Sequence, residues 1–139
     1  SVPYTIVRAA TVCGWSPKMR WDTTVNKMVH DGLNGGITLY GGWQERCHVN
    51  IKDLCDFYAL ILDKPMNEVF NVVWMNQRLC DTAYTVAAIT RSHVLPKERT
   101  DDRSYTVSGE KAKRILGWTA VRSVGDAVHD IMIHENSPR

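Results

Sequence analysis

The chain lacks most of the short motifs that identify a chemistry. Its 139 residues contain no G-x-G-x-x-G dinucleotide turn, no Walker A phosphate loop and no G-x-S-x-G nucleophile elbow. The four cysteines show no C-x-x-C spacing, which argues against a zinc site and is typical of small buried thiols in a reducing compartment. We therefore expect a cytoplasmic protein that binds no metal.

Strong charge and long apolar segments are also lacking. The net charge is only +2, and no block of five or more Lys and Arg residues occurs, so nucleic acid is not an expected partner. The apolar runs are too short to cross a bilayer, and no signal-like segment precedes Tyr4, so we expect no membrane partner. The length suits one domain with a real core.

Strands and helices are predicted to alternate, which gives an α/β fold with a small split sheet and about five helices. Residues 4–10 form a nearly continuous apolar run, typical of a buried parallel strand, and this strand resembles one cut from a larger sheet. Further extended pieces lie at 68–74 and 94–96. Apolar residues at helical spacing predict four helices, and a short basic helix is predicted at 108–116. The apolar faces of the four are Trp21, Val25, Met28, Val29 and Gly32; Leu54, Phe57, Tyr58 and Ile61; Leu79, Ala83, Val86 and Ala87; and Val124, Ala127, Val128, Ile131 and Met132.

Residues 37–53 are interpreted as a hairpin followed by a helix start. Two short strands flank a glycine turn at 41–42, and Arg46 follows the turn. Asp53 falls in the first turn of the next helix, where a carboxylate suits the helix dipole. The forked guanidinium beside this helix start suits an anionic ligand, and His48 could also approach one. The alternative is a surface hairpin with a solvated arginine and a structural histidine.

Eight short segments occur in an order and spacing that carry a family resemblance. They are RAATVCG at 8–14, MRWDTTVN at 19–26, ITLYG at 37–41, QER at 44–46, VNIKD at 49–53, VFNV at 69–72, DRSY at 102–105 and KAKRILGW at 111–118. The series resembles the C-terminal half of the extended short-chain dehydrogenases, the NAD-dependent nucleotide-sugar epimerases and dehydratases. The resemblance extends from about residue 4 to residue 132.

This resemblance implies a substrate site. Asn26 matches an asparagine near the sugar diphosphate, and Arg46 matches the arginine that holds the nucleotide or its phosphates. Arg103 matches a second phosphate ligand, and two guanidinium forks around one diphosphate are chemically sensible. The alternative for Arg103 is a loop arginine paired with Asp101 or Asp102.

The resemblance also concerns the cofactor. The nicotinamide end of NAD packs against the family strand that matches residues 8–15, which makes Ala9, Val12 and Cys13 candidate cofactor contacts. Ala9 and Cys13 stand where the family usually has Pro and Tyr. The complete family enzyme binds NAD, but this chain alone is expected to bind none.

The catalytic Tyr-x-x-x-Lys pair of the family is missing. In the family the Tyr is the acid/base and the Lys lowers its pKa, so the reaction needs both. The five tyrosines, Tyr4, Tyr40, Tyr58, Tyr84 and Tyr105, are followed four residues later by Arg8, Gln44, Leu62, Ala88 and Gly109. No catalytic residue is therefore assigned in this chain.

We expect a single domain over residues 1–139. Residues 1–17 would be a remnant of the cofactor-domain sheet, 18–134 the substrate-binding region and 135–139 a tail. The predicted function is a substrate-binding fragment that holds the nucleotide-diphosphate end, as a truncated product or split subunit without its Rossmann half. The alternative is a non-catalytic binding or assembly module. An uncovered strand at 4–10 predicts either a homodimer or docking of the missing Rossmann half.

Overall fold

The computed structural model describes residues 2–98 and 103–135, and within them it has seven strands and five helices. The predicted α/β class with a split sheet is confirmed. The strands are β1 (Thr5–Ala9), β2 (Thr11–Cys13), β3 (Ile37–Tyr40), β4 (Glu45–Asn50), β5 (Glu68–Val72), β6 (Met75–Arg78) and β7 (Val94–Lys97). The helices are α1 (Thr24–Leu33), α2 (Ile51–Ile61), α3 (Leu79–Thr90), α4 (Glu110–Leu116) and α5 (Val124–Glu135).

The strands form three small sheets, and three of the four pairings are parallel. β1 pairs with β5, β3 pairs with β7, and β4 lies between parallel β2 and antiparallel β6. Parallel pairs need crossover connections, which the helices provide.

The predicted hairpin at 37–53 is wrong, because β3 and β4 belong to different sheets. Ile37 and Leu39 of β3 are buried in a first core, whereas Cys47 and Val49 of β4 are buried in a second. The glycine pair at 41–42 does mark a turn, with positive φ at both residues, but the chain passes from one sheet to another there.

Two hydrophobic cores hold the elements together. The first packs α1, α3 and α5 against β3, and the second packs α2 and α4 against β1, β4 and β5. Fully buried members of the first are Val25, Val29, Ile37, Ala83, Val86, Val124, Ala127, Val128 and Ile131; those of the second are Val49, Phe57, Phe70 and Val72.

The helix predictions hold, with shifted ends. α1 begins at Thr24, so Trp21 lies before the helix, and Tyr58 is exposed on α2 instead of belonging to its buried stripe. A capping box opens α5: the Ser123 amide donates to the Asp126 carboxylate at 2.7 Å, and the Asp126 amide donates to the Ser123 hydroxyl at 3.1 Å.

Asp53 serves a structural role at the start of α2. Its carboxylate is buried and accepts hydrogen bonds from the backbone amides of Val121 and Arg122 at 3.0 and 2.8 Å. The Arg122 guanidinium donates to the same carboxylate. These bonds join α2 to the segment that leads into α5, so Asp53 is occupied within the fold.

β1 is parallel, as predicted, but it is not buried on both faces. Val7 packs against the second core, whereas Ile6, on the other face, is 49% exposed. The register places Ile6 beside Val69, which is half-buried. Within the described residues β1 pairs only with β5, so one strand edge and one face of this sheet are open.

Candidate functional site

A cavity of about 560 Å³ lies between α1, β3 and the start of β4. This size is ordinary for a small-molecule site. Its apolar wall is formed by Met28, Leu39 and Leu79. Its polar lining comprises Thr24, Lys27, His30, Asp31, Asn34, Thr38, Tyr40, Gln44 and Arg46.

The charges around the cavity favour an anion. Lys27 and Arg46 contribute two positive charges and Asp31 one negative charge. The Lys27 ammonium lies 2.7 Å from the Asp31 carboxylate, one helical turn away, and this bond fixes the ammonium on the α1 side. Because Asp31 balances the charge of Lys27, the net positive charge of the lining comes from Arg46, and Met28 and Leu79 provide an apolar surface beside it.

Arg46 is held in place by the segment around Arg103. Its guanidinium donates to the Arg103 carbonyl at 2.5 Å and to the Glu45 carbonyl at 2.8 Å. The guanidinium also lies 5.2 Å from the centre of the Tyr105 ring, a cation–π distance. The fold thus brings Arg46 and the Arg103 backbone together across 57 residues. Asp101 and Asp102, the alternative partners of Arg103, lie outside the described residues.

Asn26 lies on α1 but uses its side chain within the fold. Its amide oxygen accepts from the Gly14 backbone at 3.1 Å, and its amide nitrogen donates to the Arg20 carbonyl at 3.0 Å. The residue is buried. Asn26 therefore braces the loop from β2 to α1, whereas its helix neighbours Lys27 and Met28 line the cavity. Its predicted contact with a ligand stays a prediction.

The three candidate cofactor residues do not form a cradle by themselves. Ala9 is exposed, Val12 packs against the second core, and Cys13 is buried with its thiol 3.5 Å from the Val49 carbonyl. Burial, with a smaller effect of the Asp53 charge, raises the pKa of Cys13 to about 12, so its thiol stays neutral. A whole dinucleotide also needs a phosphate-binding turn, which the sequence lacks. These residues alone do not fit NAD.

His48, the histidine predicted to be able to reach a ligand, is fully buried on β4. Neither ring nitrogen has a hydrogen-bond partner among the described residues. Burial, and to a smaller extent the Arg46 charge, lowers the pKa of His48 to about 4. His48 is therefore neutral at pH 7.

Over residues 2–98 and 103–135, no group of three His, Cys, Asp or Glu side chains could hold a metal ion. Within the same described ranges, no helix has both the length and the apolar character required to cross a bilayer.

Sequence reasoning missed the α1 side of the cavity. Lys27 and Asp31 were not singled out, although their i, i+4 spacing on a predicted helix was a signal for a surface ion pair. Tyr40 was considered only as a strand residue and as one of the five tyrosines that lack a lysine four residues later, and it lines the cavity. Exposed polar residues on a helix give no sign of which of them border a cavity.

Solved structures share this fold. A UDP-glucose 4-epimerase from Thermotoga maritima, in a complex with UDP-glucose, is 23% identical, with a TM-score of 0.77 over 96% of this chain and 47% of its own. A UDP-N-acetylglucosamine 4-epimerase from Bacillus cereus is 18% identical, with a TM-score of 0.80 over 97% and 47%. A dTDP-glucose 4,6-dehydratase from Bacillus anthracis, in a complex with NAD, is 19% identical, with a TM-score of 0.77 over 94% and 44%.

These matches establish the fold and a partial correspondence. The chain spans less than half the length of each of these three structures. No family model matches the sequence, and no curated protein does. The expected likeness to NAD-dependent nucleotide-sugar epimerases and dehydratases is thus confirmed at the level of fold.

Proposed function

We propose that this chain is the substrate-binding half of an NAD-dependent nucleotide-sugar epimerase or dehydratase and that it holds the nucleotide-diphosphate end. The observation that carries the proposal is the cavity between α1 and β3, with Arg46 at one side and Lys27 at the other. The shared fold with two epimerases and a dehydratase supports the choice of ligand class.

The proposal assigns a role to each part of the cavity. The guanidinium of Arg46, fixed by the Arg103 carbonyl, provides charge-assisted hydrogen bonds to phosphate oxygens. Lys27 adds a second positive charge. Met28, Leu39 and Leu79 provide an apolar surface for the nucleoside. Asn26 positions the loop beside α1, and Arg103 completes the phosphate site.

Chemistry on the sugar would need a companion half. The sequence has neither the Tyr-x-x-x-Lys pair nor the glycine-rich turn, so NAD and the acid/base would come from a Rossmann half that docks on β1. The open edge of β1 and the exposed Ile6 provide a surface for it, because parallel sheets normally have both faces covered. This chain would then bind substrate without turning it over.

Calorimetry with UDP, dTDP and GDP tests the binding proposal. We expect Arg46→Ala to weaken binding of the best of these nucleotides by about 10-fold or more, since a hydrogen bond to a charged group contributes about 1.5–3 kcal/mol. Arg114→Ala, which removes an exposed arginine on α4, is the matched control and should leave binding unchanged. No binding of any of the three at about 5 mM, a very weak affinity range, would contradict the proposal.

A second candidate is an assembly module that uses the open edge of β1 for a second copy of the chain. The same exposed Ile6 favours it, since an uncovered strand edge is a template for pairing. Light scattering decides: a dimer that Ile6→Lys converts into a monomer would support this candidate. A monomeric wild-type chain at about 50 µM, far above the dissociation constant of a stable dimer, would reject it.

A further inference from the structure

The cavity between α1 and β3 has two chemically different ends. A short turn leads from α1 into β3, so the end of the helix lies beside the start of the strand, where the Gly36 amide donates to the Asp31 carbonyl at 2.9 Å. At the end of β3, the Gln44 side chain donates to the Tyr40 carbonyl at 3.0 Å, and Arg46 lies just beyond Gln44 in the chain. All five of these residues line the cavity. Asp31 and Arg46 therefore border opposite ends of it.

The distance between the two ends suits a nucleoside diphosphate. Four residue steps separate Gly36 from Tyr40, and a strand rises about 3.3 Å per residue, so the ends lie roughly 13 Å apart. When the phosphates bind at Arg46, as in the function proposed above, an extended nucleotide along β3 directs its base to the Asp31 end. The groups at that end then decide which base is accepted.

Asp31 keeps one carboxylate oxygen for a ligand. Its Oδ2 accepts from the Lys27 ammonium at 2.7 Å, whereas its Oδ1 lies 3.6 Å from the His30 Nδ1, beyond hydrogen-bond distance. A carboxylate oxygen has two lone pairs, so Oδ1 can accept from two donors. The Asp31 side chain is only 24% exposed, which limits competition from water and strengthens a hydrogen bond made there.

Guanine is the base that matches this acceptor. Its edge presents a ring N–H and an amino group side by side, which are two donors for one carboxylate. Uracil and thymine present a single N–H between two carbonyl oxygens, and a carbonyl oxygen beside a carboxylate is unfavourable because both are acceptors. Adenine and cytosine place their amino group next to a ring nitrogen that is itself an acceptor. A carboxylate at the base end therefore favours guanine over the other four bases.

We propose that Asp31 selects a guanine nucleotide by accepting hydrogen bonds from the ring N–H and the amino group of the base, while the phosphates lie at Arg46; this rests on the function proposed above. The substrate class then narrows to sugars linked to GDP. A hydrogen-bonding site rejects a ligand that leaves its polar group unpaired, so the same carboxylate disfavours uracil and thymine nucleotides.

Calorimetry with GDP, inosine diphosphate and UDP tests the role of Asp31. Inosine diphosphate differs from GDP only in lacking the amino group of the base. We expect the wild-type chain to bind GDP about 10-fold more tightly than either of the other two, the usual effect of one hydrogen bond to a charged group. Asp31→Asn replaces one acceptor oxygen with a donor of similar size. It should reduce the ratio of GDP affinity to UDP affinity by about 10-fold.

Two further variants separate base recognition from the ion pair between Asp31 and Lys27. Lys27→Gln removes the ion pair and leaves the carboxylate, so it should preserve the ratio of GDP affinity to UDP affinity even where it weakens both. Asp63→Asn removes an exposed carboxylate in the turn after α2 and is the matched control. Because a general loss of folded protein affects both nucleotides alike, the ratio reports on the base.

The outcomes separate this inference from the proposed function. If the wild-type chain binds GDP, inosine diphosphate and UDP equally well, the selection of guanine is wrong and the proposed function stands. If GDP is preferred and Asp31→Asn keeps that preference, or Lys27→Gln abolishes it, the carboxylate does not read the base and the inference is also wrong. If the wild-type chain binds none of UDP, dTDP and GDP, both proposals fail.

Discussion

β4 and β1 are both parallel-paired strands, yet they differ in what covers them. Four consecutive residues of β4, from Cys47 to Asn50, are buried, because β2 and β6 flank the strand, the second core includes Cys47 and Val49, and α5 also packs against the strand. β1 has one partner and one covered face, and Ile6 stays half exposed. Parallel strands normally have both faces covered. The second core is therefore complete at β4 and open to a further element at β1.

We expect the largest effect on the free energy of unfolding in the second core, which is complete at β4. Phe57 is fully buried against Phe70 and Trp118, with ring centres 5.8 and 4.8 Å away. We expect Phe57→Ala to lower the free energy of unfolding by about 3–5 kcal/mol, the usual cost of removing a buried phenyl ring. Urea denaturation measures it, and Tyr58→Ala, at the exposed neighbouring position, should cost far less. Equal losses would contradict the assignment of α2's buried face.

The next largest effect is the pH dependence of stability that His48, at the centre of β4, should cause. Because the pKa of His48 is about 4 in the folded chain and the ordinary pKa of histidine is 6.5, the unfolded chain binds a proton there more readily. Stability should therefore fall as the pH drops from about 6.5 to about 4, by about 3 kcal/mol from this residue.

His48→Leu isolates this contribution. The variant cannot take up the proton, so its stability should depend less on pH than that of the wild type. Urea denaturation of both chains at pH 7 and pH 4.5 measures the two pH dependences. The acidic residues contribute equally to both chains, so their effect cancels when the variant is compared with the wild type. Parallel pH curves would mean that His48 is solvated or hydrogen-bonded in the folded chain.

We expect the smallest effect on stability at β1, where one strand edge and one face are open. We expect Ile6→Thr to change the free energy of unfolding of the isolated chain by less than about 0.5 kcal/mol, because Ile6 is half exposed and Thr keeps a β-branched side chain. Chemical denaturation measures this change. A loss of about 2 kcal/mol or more would show that Ile6 is covered in the folded state.

Local patterns predicted the helices better than the pairing of the strands. Helical spacing predicted α3 and α5, and the predicted basic helix at 108–116 ends where α4 ends, before Gly117 with its positive φ. The pairing of β3 was missed because its partner β7 lies more than 50 residues away in sequence. β6 was missed because Met-Asn-Gln-Arg is an edge strand with little apolar signal.

The site was half visible in the sequence. Arg46 was marked by its place after a glycine turn and by the family resemblance, and the structure places it on the cavity. Asn26 was marked by resemblance alone, and its side chain is used to brace a loop.

A titration with UDP followed by backbone amide NMR locates the nucleotide among the cavities of the fold, several of which are of similar size. A second cavity, of about 370 Å³, lies between β6 and the segment around α4 and includes Asn76, Lys113 and Trp118. A third, of about 550 Å³, lies between the end of α3 and α5. UDP should shift the amide signals of Lys27, Thr38 and Arg46 and leave those around the second cavity unchanged. Shifts confined to the second cavity would contradict the proposed site.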